Sequence, residues 1–213
     1  MRYLKIGGGL IALAATFGCA TTQSLSDADR KAIDTVSVAK SVVMPPSPVV
    51  MGRASQTAGF WGGPIATAVM VNRENSDVVQ FKRHVEANRI DIGEIIRQEF
   101  INQVKSTGAF PGVVSEGGKA TFELTVEQYG LGQGFSLSPT NAPLRPTLRM
   151  IAKLSTPDGK VVWQNSHTLT ALSGEIPAYV VDEYYTVPGR IEDAFKKAGE
   201  LVARELLKDL GQK

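Results

Sequence analysis

TFELTVEQY, residues 121–129, alternates without a break. Phe122, Leu124 and Val126 share one parity, and Thr121, Glu123, Thr125 and Glu127 share the other. A period of two with one apolar side marks a strand buried on a single face. Downstream, residues 147–155 and 160–173 flank Thr156-Pro157-Asp158-Gly159, a turn signal that folds the two runs into a hairpin. Leu148, Met150, Ala152 and Leu154 share a parity on its first arm, and Trp163 lies on the return arm. Three strands with one apolar face need a covering layer.

Two helices supply that layer. Asp91 is a good N-cap, with Glu94 three residues on as in a capping box and Gly108 to close the far end. Between them Ile92, Ile95, Ile96, Phe100 and Val104 recur at helical spacing. Residues 191–210 repeat the pattern with Ile191, Ala194, Phe195, Ala198, Leu201, Val202 and Leu206. A shorter helical piece is expected over 77–87. Residues 35–44 open the fold as a strand with Val36 and Val38 on one face, ended by Pro45, Pro46 and Pro48, and residues 110–115 form a brief strand. Residues 130–146, rich in Gly, Ser and Pro, are expected to be a long surface loop. The order strand–helix–strand–strand–strand–helix predicts an α+β fold: a mostly antiparallel sheet with helices packed on one face, as one domain over 35–213.

Ahead of that domain, Arg2 and Lys5 precede an uncharged, mostly apolar run over residues 6–17, and Gly18 stands before Cys19. This is the three-part pattern of a secretory signal peptide over 1–18, and the run is too short to span a bilayer. A run ending in a small residue and cysteine resembles the lipobox of bacterial lipoproteins, departing from the usual pattern at Thr16 and Phe17. The resemblance implies that Cys19 is diacylated and becomes the mature amino terminus. It also implies, because Ala20 stands where an aspartate favours inner-membrane retention, a place at the periplasmic face of the outer membrane. Residues 19–34, small and polar, are expected to be a flexible tether with a turn of helix after Ser26.

Charge and chemistry bound the function. The chain of 213 residues carries 23 Lys and Arg against 21 Asp and Glu; without Arg2 and Lys5 the bases number 21 and the balance is zero. No bulk charge draws the chain to nucleic acid, and no basic cluster is present. The single cysteine permits no intramolecular disulfide. His84 and His167 lie far apart, and with no second cysteine they make no zinc set. Gly130-Leu131-Gly132-Gln133-Gly134 follows a strand but lacks the Lys-Ser/Thr of a phosphate loop. Asp182-Glu183 and Glu192-Asp193 are carboxylate pairs of the kind found solvated at helix starts. The chain is therefore expected to be no enzyme and to hold no cofactor and no metal.

One stretch resists this plain reading. Residues 59–71, GFWGGPIATAVMV, are apolar and glycine-rich. They read either as a loop and short element packed on the core, the favoured reading, or as an interaction segment presenting Phe60, Trp61, Ile65 and Val69 to a membrane or partner.

With the Gly18-Cys19 ending, the proline-broken first strand, DIGEIIRQEFINQV (91–104), ATFELTVEQYGL (120–131) and LRMIAKLSTPDGKVVWQNS (148–166) together, the chain resembles a group of small bacterial envelope lipoproteins. Their domains are similar to the amino-terminal domain of the Tol-system β-propeller protein, the curli-secretion lipoprotein and the auxiliary lipoproteins of envelope ABC transporters. The likeness covers roughly residues 35–210 and lies in element order, so it identifies no binding residue. It implies a non-catalytic accessory, scaffolding or regulatory module with an envelope protein partner, or alternatively a binder of a lipid or other apolar ligand auxiliary to transport.

Overall fold

The computed structural model describes residues 22–51, 76–133 and 143–211. Six strands, β1 (Thr35–Val38), β2 (Val49–Met51), β3 (Gly112–Val114), β4 (Ala120–Gln133), β5 (Leu144–Ser155) and β6 (Val161–Leu169), form one sheet in the order β3-β1-β4-β5-β6, with β2 also on β4. Among the described residues the helices are α1 (Asp27–Ala32), α2 (Ser76–Ala87), α3 (Ile92–Thr107), α4 (Val181–Thr186) and α5 (Arg190–Leu206). The α+β class holds, but the sheet is mixed. β4–β5 and β5–β6 are antiparallel, whereas β1–β3, β1–β4 and β2–β4 are parallel. Element order alone did not reveal this, because β1 and β4 meet only after the chain has passed through two helices, and such crossovers make parallel neighbours.

The expected core face is present. Phe122, Leu124, Val126, Leu148, Met150, Ala152, Leu154 and Trp163 are all buried, while Glu123, Glu127 and Arg149 on the opposite parity are exposed. Phe122 meets the rings of Phe100 on α3, Phe110 and Trp163 edge-on at 5.2, 6.0 and 5.7 Å. Helix α5 lies over β5 and β6 and against α3, where Gly199 brings the two backbones close: a methyl group there would sit 3.4 Å from the Ile96 Cα. Asp91 caps α3 by accepting a 2.9 Å hydrogen bond from the Glu94 amide, and Gly108 closes it at φ 60°. Only half of the expected capping box forms, because Glu94 turns its carboxylate to Arg97 in a two-pronged ion pair of 2.7 and 2.8 Å. Of the expected stripe, Ile95 is only partly buried. The last helix ends at Leu206, and a turn carries Leu207 and Leu210 into the core.

The expected loop over 130–146 is corrected at both ends. β4 runs on through Gln133, because Gly130 lets β2 approach closely: a Cβ there would lie 1.8 Å from the Val49 carbonyl oxygen. A bulge between Val126 and Gln128 shifts the register, so that Tyr129 and Leu131 pair with Leu148 and Pro146 on the core side. β5 starts at Leu144 and contains Pro146. Leu144 exchanges hydrogen bonds with Tyr179, so Pro146, two residues on, turns its missing N–H to the same side, past the end of β6. Residues 134–142 lie outside the described residues.

The first strand is likewise shorter than expected. β1 stops at Val38, yet the chain follows β4 onward through the Val43–Thr125 bridge to β2, interrupted by the prolines. The expected tether also departs from expectation. From Gln23 onward it is built onto the domain, with Leu25 and Ile33 buried and Ser26 capping α1. Sequence missed this because Leu25 and Ile33 are isolated apolar residues in a polar stretch, and the segment's attachments, Gln23 to β6 and Arg30 to Leu210, lie more than a hundred residues along the chain.

Candidate interaction surface

At the corner where α2 hands over to α3, a groove of about 380 Å³ opens between the helices and the sheet. Its apolar lining comes from Met44, Val85, Ile90, Ile92 and Tyr129, with Glu86, Arg89 and Asp91 around it. Local folding explains the shape. α2 ends in a left-handed turn at Arg89 (φ 55°), after which the Ile90 amide donates to the Val85 carbonyl at 2.9 Å. That pattern reverses the chain sharply and normally uses glycine at the left-handed position. A non-glycine residue held there stores roughly 1–2 kcal/mol of strain, and strain of this kind gathers at functional sites. Gly93, on the first turn of α3, faces Met44: a Cβ there would meet the Met44 Cγ at 3.5 Å, an ordinary packing contact.

Tyr129 reaches the groove because the β4 bulge turns it inward, and its ring meets Phe195 edge-on at 6.3 Å. Burial pushes its phenol up from the ordinary tyrosine range, so it stands in the groove as a neutral hydroxyl. Val43, next to Met44 in the chain, is 62% exposed although its backbone is bridged to Thr125. The arrangement suits an apolar group flanked by polar hydrogen-bonding atoms. Sequence reasoning missed Met44, Arg89 and Tyr129. Arg89 gives no signal in a charged run, and Tyr129's inward turn depends on a bulge that strict alternation hides.

On the sheet parity opposite the core, exposed Glu127 and Arg149 pair at 2.7 Å, and Ser37, itself buried, shares a 2.9 Å hydrogen bond with Thr121. His84 packs edge-on against Tyr185 at 5.3 Å, and burial, then Asp77, pushes the Tyr185 phenol up to about 12. His167 lies on β6 opposite Met150, apart from His84. Asp182 and Glu183 sit in the first turn of α4, and Glu192 and Asp193 in that of α5, where the helix dipole favours them. Among the described residues, no three His, Cys, Asp or Glu side chains come together as a metal-holding group, and no helix is long and apolar enough to cross a membrane. Cys19, Phe60, Trp61, Ile65 and Val69 lie outside the described residues.

No known family model matches the chain, and no curated protein matches it. Among solved structures it is similar to a PelC dodecamer from Paraburkholderia phytofirmans, at 11% identity and TM-score 0.42 over 91% of this chain and 96% of that one. It is similar to a minor lipoprotein from Acinetobacter baumannii, at 9% identity and TM-score 0.36 over 83% of this chain and 92% of that one. A Xanthomonas campestris protein of the DUF330 family is similar at 12% identity and TM-score 0.36, over 88% of this chain and 86% of that one. At these values the likenesses transfer no function to this chain.

Proposed function

We propose that this chain is a lipid-anchored protein of the bacterial cell envelope that works by binding a protein partner, without catalysing a reaction. The observation that carries the reading is the sole cysteine, Cys19, placed after Gly18 at the end of the uncharged run over residues 6–17. Acylation there fixes the chain to a membrane, since two or three acyl chains hold a protein where one holds it only marginally. Ala20 favours the outer membrane, with the domain on the periplasmic side. Metabolic labelling with palmitate tests the anchor: the label enters the natural chain and is lost in Cys19→Ala. Label that persists in the variant, or a soluble product lacking its first nineteen residues, overturns the reading.

A second reading has its own observation. The groove beside Met44 and Tyr129 lies within the size range of small-ligand sites and has an apolar lining. It favours binding of a lipid or other apolar molecule, auxiliary to transport. Mass spectrometry of the natively purified chain would find copurified lipid that Met44→Trp, which fills the groove, excludes; its absence from both overturns this alternative.

A further inference from the structure

We infer that, in the anchored protein, the outer edge of β6 is held at the bilayer surface on a leash too short to let the domain stand clear, while the β3 edge is not so held. The inference rests on acylation of Cys19, the reading proposed above, and adds what the structure says about the chain that follows it.

Gln23 is the first residue joined to the fold. It adds to the side of β6 away from β5 as a one-residue antiparallel bridge, its amide donating to the Gln164 carbonyl at 2.8 Å and the Gln164 amide donating back at 3.0 Å. Its side-chain Nε2 donates to the Val161 carbonyl at 2.9 Å. The attachment continues downstream. Leu25 and Ile33 are buried, Arg30 Nη1 donates to the Leu210 carbonyl at 2.8 Å, and Lys160 pairs with Asp29 at 3.1 Å. These contacts join the segment to β6, to the hairpin turn and to the carboxyl-terminal turn, so it moves with the domain.

Only Ala20, Thr21 and Thr22 separate Cys19 from Gln23. Four steps of extended chain span at most about 14 Å, against on the order of 50 Å for a free tether of fifteen residues. Across the sheet, the β3-β1-β4-β5-β6 order puts four strand spacings, about 19 Å, between the β6 and β3 edges. The leash therefore keeps the Gln23 side of β6 within about 14 Å of the anchored residue and sets no such bound on β3. The antiparallel bridge also sets a direction: from Gln23 back to Thr22 the backbone points toward the Thr168 end of β6.

The test uses the full acylated chain in phosphatidylethanolamine–phosphatidylglycerol vesicles carrying a headgroup spin-labelled lipid as quencher. With Cys19 acylated, a cysteine introduced at Thr168→Cys or Val114→Cys is the only free thiol and takes an environment-sensitive fluorophore; both positions are exposed. Because a headgroup spin label quenches only a fluorophore that lies at the bilayer surface, most of the emission is lost from position 168 and little from position 114. A flexible Gly-Ser insert of about ten residues between Thr21 and Thr22, with an r.m.s. span near 17 Å, brings position 168 down to the level of 114 while the thermal unfolding midpoint stays put. Equal quenching at the two positions, none at 168, or quenching at 168 that survives the insert overturns the inference. Palmitate content of the same preparations tells the failures apart: acylated chain with no quenching difference sinks only the short leash, whereas chain with no acyl group sinks the anchoring on which it rests.

Discussion

Gly130→Ala tests how β2 is held against the sheet. The substituted Cβ would fall 1.8 Å from the Val49 oxygen, 2.6 Å from its carbonyl carbon and 2.8 Å from its nitrogen. All three are backbone atoms, so no rotamer change relieves the clash; β2 or β4 must move. β2 is three residues long and the weaker partner, so it separates. The cost is then the loss of what β2 contributes. Val50 is 5% exposed, and exposing a valine of this kind costs about 1.5–3 kcal/mol. Ladder hydrogen bonds opposite residues 130–132 add a net 0.5–1.5 kcal/mol or so each, partly recovered from water at an edge. We expect Gly130→Ala to destabilise by about 2–4 kcal/mol, which at a urea slope near 2 kcal/mol/M lowers the midpoint by roughly 1–2 M. Gly159→Ala is the control. Gly159 is also left-handed (φ 84°) but has nothing within 4 Å of a new Cβ, so it costs only the strain of about 1–2 kcal/mol. Equilibrium urea unfolding of both variants decides the matter. A loss in Gly130→Ala no greater than in Gly159→Ala would refute the close approach of Val49 as the reason glycine stands there.

Three further outcomes follow from the same geometry. Asp91→Ala removes the cap on the Glu94 amide and should cost about 1 kcal/mol, with Asp91→Ser recovering most of it; urea midpoints of the two variants check this. Arg89→Gly relieves the left-handed turn at φ 55° and should stabilise by up to about 1 kcal/mol, read as a rise in melting temperature; a fall would show that the arginine side chain holds the corner. The Asp29 carboxyl is held below the usual carboxylate range by its hydrogen bond with Ser26 and then by Lys160. A depressed folded value means that its contribution is present above the unfolded value and is lost as pH falls through the folded one. Hydrogen exchange at the Ile33 amide, which donates to the Asp29 backbone carbonyl at 3.0 Å at the end of α1, should therefore lose protection below pH 4 or so, and Asp29→Asn should show that loss already at neutral pH.

Local pattern made half of this fold legible. Phe122, Leu124 and Val126 announced β4, Leu148 to Leu154 announced β5, and Asp91 and Gly108 bracketed α3, because each signal sits within a few residues of the structure it makes. What stayed hidden depends on partners far along the chain. Gly130 and Gly132 read as loop residues because glycine is ordinarily a poor strand former; their place in β4 follows from the approach of Val49, some eighty residues earlier. Leu25 and Ile33 looked like stray apolar residues in a tether, although both are buried. The groove was hidden for a related reason, since Tyr129 reaches it only through a bulge that breaks the very alternation from which the strand was read.

The split between local and distant information also orders the folding events. β4, β5 and β6 form a meander, and the Thr156–Gly159 turn, where the Gly159 amide donates to the Thr156 carbonyl at 2.8 Å, sets the register of its β5–β6 hairpin. β1 and β2 reach the same strand in parallel and only after closing long loops: Val36 pairs with Ala120, and Val49 with Gly130. Loop closure must be met before those pairings return anything, so the meander is expected to form ahead of them. β4 stays an open edge until β1 and β2 arrive, and open edges invite pairing with other chains. Short strands broken by Pro45, Pro46 and Pro48 suit that position. They cover the edge in pieces, each too short to template a neighbour, and the first piece is drawn in by Val36 and Val38, both buried in the core.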